Sequence, residues 1–225
     1  MEKMPLLMTI AVLGGTGKQG KGLAYRWAKA GYKVLIGSRS SEKAVTTASE
    51  LMEMLEGSSS LVGASNHEAA EQADIVVLSV PYAAHRETLE GVKEFLQGKI
   101  LIDVTAPLGS PKNKVQMPPA GSAAQAAKEI VGEGVEVVAA FQSIPYEYLL
   151  KDEDIDCDVL VTGTSKDARS EALKLVEAAG LTGWDAGPIE NSVVIEGLAS
   201  VLININKRYG STHSGIRITG AKQNP

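Results

Sequence analysis

Residues 8–40 read MTIAVLGGTGKQGKGLAYRWAKAGYKVLIGSRS, and this stretch decides the fold. A β-type run from Met8 to Leu13 meets a glycine cluster. An amphipathic helical pattern follows, then a second apolar run from Lys33 to Ile36, ending in Gly37-Ser38-Arg39. Gly15, Gly17 and Gly20 fit G-x-G-x-x-G, in which the glycines allow a tight turn, close approach to a pyrophosphate and close packing of helix on strand. The phosphates belong at the helix N-terminus, around Gly17, Lys18, Gln19 and Gly20, where free N–H groups and the helix dipole favour anions. Where an NAD-type site carries Asp or Glu for the ribose 2′-hydroxyl, this chain carries Ser38 and Arg39, with Lys43 a helical turn further on. A hydroxyl and two cations attract a 2′-phosphate that a carboxylate would repel, so the pattern predicts NADP(H).

Outward from this unit, strand and helix patterns alternate to the end of the chain. The expected strands lie near 8–13, 33–37, 60–63, 75–80, 99–104, 135–141, 158–162 and 181–185. The helices lie near 18–30, 42–55, 67–72, 83–96, 122–131, 167–179 and 190–208, and segments 106–121 and 209–225 read as loops. Near-continuous apolar runs such as Ile75-Val76-Val77-Leu78 mark strands buried on both faces. The expected fold is therefore α/β, a doubly wound, Rossmann-like, mostly parallel sheet with a small C-terminal lobe. Residues 1–140 form the expected NADP-binding domain and residues 141–225 the small lobe.

The chain has 225 residues, 44% of them apolar and 22% charged, within the range of an ordinary globular protein. A net charge of −5 argues against nucleic acid as a general partner. No apolar run reaches the roughly 18 residues that cross a membrane. The opening residues lack a basic n-region and a small-residue cleavage site, so the expected location is the cytoplasm. Cys157 is the single cysteine and precedes an apolar strand, which reads as a buried structural thiol.

In a doubly wound sheet, ligands sit outside the carboxyl ends of the strands. Ser79-Val80-Pro81-Tyr82 ends the fourth strand and reads as a wall for a nicotinamide ring. Thr105 follows the fifth strand, as a cofactor contact or a turn cap. Phe141-Gln142-Ser143-Ile144-Pro145 ends the sixth, offering two polar side chains and then an apolar shelf to a flat ring with polar edges. His67, His85 and His213 lie far apart, pair with no evident carboxylate motif and suggest no metal site. His85 reads as a solvated or helix-end histidine rather than an acid–base residue. The 190–208 helix is apolar on most sides, with Val194, Leu198, Val201, Leu202 and Ile205 at helical spacing. That pattern fits either internal core or a subunit interface.

GGTGKQG, the GSR end, SVPY, FQSIP, DAGPIENS (185–192), LININKR (202–208) and the closing Gly215–Gly220 together resemble the NADPH-dependent F420 reductases, also called F420H2:NADP oxidoreductases. The resemblance runs from Thr9 to Gly220. It implies hydride exchange between NADP(H) and the deazaflavin coenzyme F420. By the same resemblance, Thr16, Ser38, Arg39 and Lys43 match the 2′-phosphate contacts, and Gly17 to Gly20 the pyrophosphate turn. Val80 and Pro81 match the nicotinamide wall, and Gln142, Ser143, Ile144, Pro145 and the tail around Gly215 match the deazaflavin pocket. Gln142 stands where some members carry His. The implied partners are small-molecule coenzymes and further copies of the chain, in a homo-oligomer. Ring-to-ring hydride transfer needs no nucleophile, metal or obligatory side-chain base, since the carriers hold the reactive atoms. Two other readings stay open on the residues alone. One is an NADPH-dependent reductase of a small carbonyl or imine, with Tyr82, His85 or Asp103 as its acid–base group. The other is a non-catalytic NADP(H)-binding module.

Overall fold

A computed structural model describes residues 8–57, 60–111, 114–151 and 153–222. Residues 1–7, which the sequence reading places in the first domain, lie outside the described residues. Strands Ile10–Leu13 (β1), Lys33–Ser38 (β2), Ser60–Ser65 (β3), Ile75–Leu78 (β4), Ile100–Asp103 (β5) and Glu136–Ala139 (β6) pair in parallel. Asp158–Gly163 (β7) adds antiparallel to β6, and Thr182–Pro188 (β8) adds parallel to β7. All eight form one sheet in the order β3-β2-β1-β4-β5-β6-β7-β8. The order reverses between β1 and β4, which opens a crevice at the strand carboxyl ends.

β1 and β4 are buried at every position, and alternate residues feed two cores on opposite faces of the sheet. Ile10 and Val12 point to one, with Leu23 and Trp27 of helix Lys18–Lys29 (α1), Leu51 of Ser41–Met54 (α2) and Leu175 of Lys166–Ala178 (α6). Ala11 and Leu13 point to the other, with Ala69 of Asn66–Gln72 (α3), Leu89 of Tyr82–Val92 (α4) and Ile130 of Ala123–Val131 (α5). Ile195 of the last helix, Ser192–Tyr209 (α7), joins this second core. Trp27 is fully buried and donates its indole N–H to the Leu175 carbonyl at 2.8 Å, which ties α1 to α6.

The helix starts follow their side chains. Ser40, Ser122 and Ser165 cap α2, α5 and α6, and Ser65 with Glu68 forms a capping box on α3. The expected 83–96 helix divides into α4 and a 3-10 turn at Lys93–Leu96, and the expected 75–80 strand stops at Leu78. Among the described residues, the 106–121 segment and the segment after Tyr209 carry no regular strand or helix, but the C-terminal one is anchored. The Ile216 carbonyl accepts from the Asp158 N–H at 2.7 Å, and the Asp158 carboxylate accepts from Ile218 N at 2.7 Å and from the Trp184 indole at 2.8 Å.

Candidate functional site

α1 shares an uncapped, acid-free start with α4 and α7, and it alone of the three is led by glycine. Its N-cap is Gly17, no side chain caps it, and its first turn carries no acidic residue. The first N–H groups of the helix thus lack the usual side-chain acceptor, as an anion site requires. The preceding loop is held rigidly. Gly14 sits at φ +73°, where a Cβ would strike the Ser79 carbonyl at 2.6 Å. Gly15 N–H is shared between the Val12 and Gly37 carbonyls at 3.1 and 3.0 Å. A Cβ on Gly15 would meet Val12 O at 2.8 Å, and one on Gly20 would meet Gly14 O and Gly15 Cα at 3.0 Å. Of the three fingerprint glycines Gly17 is the least enclosed, a Cβ there meeting a single atom, Gly14 O at 3.3 Å. Gly15 and Gly20 therefore build the turn, and Gly17 keeps its outer side clear.

That outer side faces a cleft of about 1380 Å³ at the switch point of the sheet. Nine of the residues singled out in the sequence line it together: Gly17, Lys18, Gln19, Val80, Pro81, Gln142, Ser143, Ile144 and Pro145. Thr105 lines it too; the turn there is capped by the Asp103 carboxylate, which accepts from the Thr105 N–H at 2.9 Å. Phe141 holds the shelf at an uncommon angle for a non-glycine residue, φ +71°. Two contacts fix it there: Gln19 Nε2 donates to its carbonyl at 2.6 Å, and its ring meets Trp27 edge-on with centroids 5.8 Å apart.

Six singled-out residues do not line the cleft. Gly20 is buried beneath the turn. Thr16 lies in the β1–α1 loop, whose Gly15 bonds to the carboxyl end of β2. Ser38 is buried at that end, accepting from Ser40 N at 3.2 Å, while Arg39 and Lys43 are exposed and make no ion pair among the described residues. Gly215 packs on Cys157, where a Cβ would approach within 2.4 Å, and its neighbours Ser211, Thr212 and Ser214 are the tail residues on the cleft wall. Cys157 is buried, and burial, with Asp158 and Asp156 nearby, pushes its thiol up to about 11.

Three features escaped the sequence. The 106–121 loop, read only as a connection, supplies Leu108, Met117 and Pro118 to the cleft, opposite Ala199, Leu202 and Ile203 of α7. His85 is not solvated. It is 2% exposed and its Nε2 lies 2.7 Å from Oδ2 of the fully buried Asp103. The two residues are 18 apart in the chain, on α4 and β5, and only the parallel β4–β5 pairing brings them together. The third is Glu196 of α7, also buried, whose carboxylate accepts from the N–H groups of Ala123 at 2.6 Å and Ala124 at 3.0 Å at the start of α5. Burial pushes this carboxyl up to about 8; the two backbone donors oppose the shift and Asp103 reinforces it. The Tyr82 phenol at the cleft mouth is also raised, by burial first and then by Glu196.

A doubly wound sheet with an uncapped, glycine-led helix at its switch point defines a Rossmann-type dinucleotide-binding protein. Comparison with known proteins narrows the class. Residues 9–107 match the family model described as NADP oxidoreductase, coenzyme F420-dependent. The F420-dependent NADP reductase of Methanothermobacter marburgensis is 43% identical over 94% of this chain and 98% of its own length. That of Methanocaldococcus jannaschii is 38% identical over 94% and 98%. A crystal structure from Arthrobacter sp. FB24, described as an F420-dependent NADP-reductase, superposes with a TM-score of 0.80 at 25% identity, covering 94% of this chain and 99% of that one. The chain belongs to the F420-dependent NADP reductase family.

Proposed function

We infer that this protein transfers a hydride between NADP(H) and the deazaflavin coenzyme F420, and that the cleft is where the two carriers meet. The observation that carries the reading is the convergence, in one cleft, of an uncapped helix start and the Phe141–Pro145 shelf. Family membership supplies the partner chemistry, and it sets aside the carbonyl reductase and the non-catalytic module.

The residues present suit both groups. Gly17 leaves its outer side open before the first N–H groups of α1, a cradle that a side chain would fill, so the pyrophosphate is assigned there. Thr16, Ser38, Arg39 and Lys43 lie at or beside the carboxyl end of β2 and are assigned to the 2′-phosphate, with the unpaired cations supplying charge-assisted contacts. Val80 and Pro81 are assigned to one ring, and Gln142, Ser143, Ile144 and Pro145 to the other. The Ser211–Ser214 stretch and Ala199, Leu202 and Ile203 of α7 close the far side. In this reading residues 1–140 hold NADP(H) and residues 141–225 complete the F420 site. Arg217, a candidate contact for the anionic F420 tail, already pairs with Asp156 at 2.7 Å, which leaves Lys207 and Arg208 as the freer cations near it.

When bound, the two carriers supply the reaction itself, NADPH + F420 + H⁺ ⇌ NADP⁺ + F420H2, with the nicotinamide giving the hydride and the deazaflavin taking it. The protein contributes position and exclusion of water: apolar Val80, Pro81, Ile144 and Leu202 flank the space, and polar Thr105, Gln142 and Ser143 hold the ring edges.

No helix among the described residues is long and apolar enough to cross a membrane. In this reading the protein works in the cytoplasm as a homo-oligomer. The support for self-association is a stripe on α7, where Val194, Val201, Ile205 and Tyr209 are 63, 50, 37 and 79% exposed on one side of the helix.

The test is direct. Protein, NADPH and F420 are mixed and the visible absorbance of oxidised deazaflavin is followed. Loss of that absorbance, dependent on both protein and NADPH, is expected; no loss at any protein concentration overturns the reading.

A further inference from the structure

The cleft walls come from three segments far apart in sequence: Val80–Pro81 ahead of α4, Thr105 after β5, and Gln142 after β6. All three are tied to one residue that does not itself reach the cleft. Asp103 Oδ2 meets His85 Nε2, Oδ1 accepts from Thr105 N, and the Asp103 carbonyl accepts from Gln142 Nε2 at 2.8 Å and from Ala140 N at 3.3 Å. His85 sits on the first turn of α4, so its bond to Asp103 fixes the helix that Pro81 leads into. Thr105 Oγ1 closes the circuit at the Val80 carbonyl, 3.5 Å away.

A buried pair of this kind is poor value as a stabiliser, because desolvating both groups offsets most of their attraction and well-packed apolar residues serve as well. Nor is either group placed to exchange protons with the carriers. What the pair does supply is a fixed distance and direction between α4 and β5, and through them between the two walls. Fully satisfied buried networks specify geometry in this way. We propose that His85 and Asp103 are positioning residues for hydride transfer: they cross-link the nicotinamide-side wall to the deazaflavin-side wall and set the separation of the two rings. The proposal rests on the assignment of the cleft to the two carriers.

Two variants isolate the cross-link from the charge. Asp103→Asn keeps a side chain that can bond both His85 and Thr105 N. His85→Leu combined with Asp103→Asn breaks the link and leaves no charge buried. A misplacement of about 1 Å costs on the order of 10²-fold in rate. The double variant should therefore lose about 10²-fold in kcat for F420 reduction, with the KM for NADPH within about threefold of wild type. Asp103→Asn alone should keep kcat within about threefold. The primary isotope effect with 4-deuterated NADPH should rise in the double variant as hydride transfer becomes limiting. If the double variant melts below assay temperature, His85→Gln with Asp103→Asn keeps a bonding amide at position 85, and an intermediate fall in kcat at unchanged KM carries the same conclusion.

A double variant with wild-type kcat overturns the proposal. So does an Asp103→Asn that loses as much as the double, since the charge and not the link would then matter. Gly17→Ala, measured in parallel, tests the cleft separately: wild-type NADP⁺ affinity there refutes the cleft assignment, whereas weakened affinity beside a wild-type kcat in the double variant refutes the positioning role alone.

Discussion

Replacing Gly17 by alanine separates the nucleotide site from the fold that carries it. Gly17 has φ −75° and ψ 160°, which any L-residue adopts, and the new methyl would meet only Gly14 O at 3.3 Å. Stability should fall by no more than about 1 kcal/mol, the difference between glycine and alanine at an N-cap. The methyl instead enters the space before the first N–H groups of α1. Losing one charge-assisted bond to a phosphate oxygen costs about 1.5–3 kcal/mol, or roughly ten- to a hundred-fold in affinity. Gly20→Ala is the complement. Its methyl would press on the backbone of Gly14 and Gly15 at 3.0 Å. Overpacking costs about 1–3 kcal/mol and the gain in helix propensity returns about 1. The net loss of up to about 2 kcal/mol lowers Tm by as much as roughly 8 °C in a chain of this size. Calorimetric titration with NADP⁺ and scanning calorimetry without nucleotide read the two effects apart. Gly17→Ala should bind weakly with a Tm within about 4 °C of wild type, and Gly20→Ala should bind with near wild-type affinity and melt earlier. An affinity for NADP⁺ within twofold of wild type in Gly17→Ala would show that the phosphates lie elsewhere.

Arg39→Ala should raise the KM for NADPH about ten- to a hundred-fold and leave that for NADH nearly unchanged, one charge-assisted phosphate contact being lost; equal effects on both nucleotides would place the 2′-phosphate away from β2. Glu196 has the opposite sign to an ordinary carboxylate. Its pKa rises from 4.5 to about 8 on folding, so the folded protein holds the extra proton between those values. Stability should therefore fall as pH rises through that window and level off above it. Glu196→Gln should flatten this decline in melts taken from pH 5 to 9, and an unchanged slope would mean that the carboxyl is ionised throughout. If the proposed homo-oligomer forms through the exposed stripe of α7, Val201→Lys should lower the sedimentation coefficient to that of a monomer without lowering the melting temperature of the subunit; an unchanged sedimentation coefficient refutes self-association through α7.

The sequence by itself determined what rests on local pattern. Apolar runs and helical spacing placed every strand and α-helix to within a few residues, because these signals act through neighbours in the chain. The glycine fingerprint and the Ser38-Arg39 end were legible as a candidate phosphate-binding turn for the same reason: turn geometry and the charge at a strand end are local. Tertiary structure alone decided which distant groups meet. His85 and Asp103 read as unrelated residues on successive elements until the parallel register of β4 and β5 set them 2.7 Å apart in the core. The apolar pattern of 190–208 revealed a helix with much to bury. It did not reveal that one face would bury Ile195 and Leu202, that another would leave Val194 and Val201 open, or that Glu196 would cap α5 from within. Periodicity records that a face is apolar, and only the packing of the whole sheet selects what that face touches. The antiparallel entry of β7 is of the same kind: its residues spell a strand in either direction, and the partner edge offered by β6 fixed which one it took.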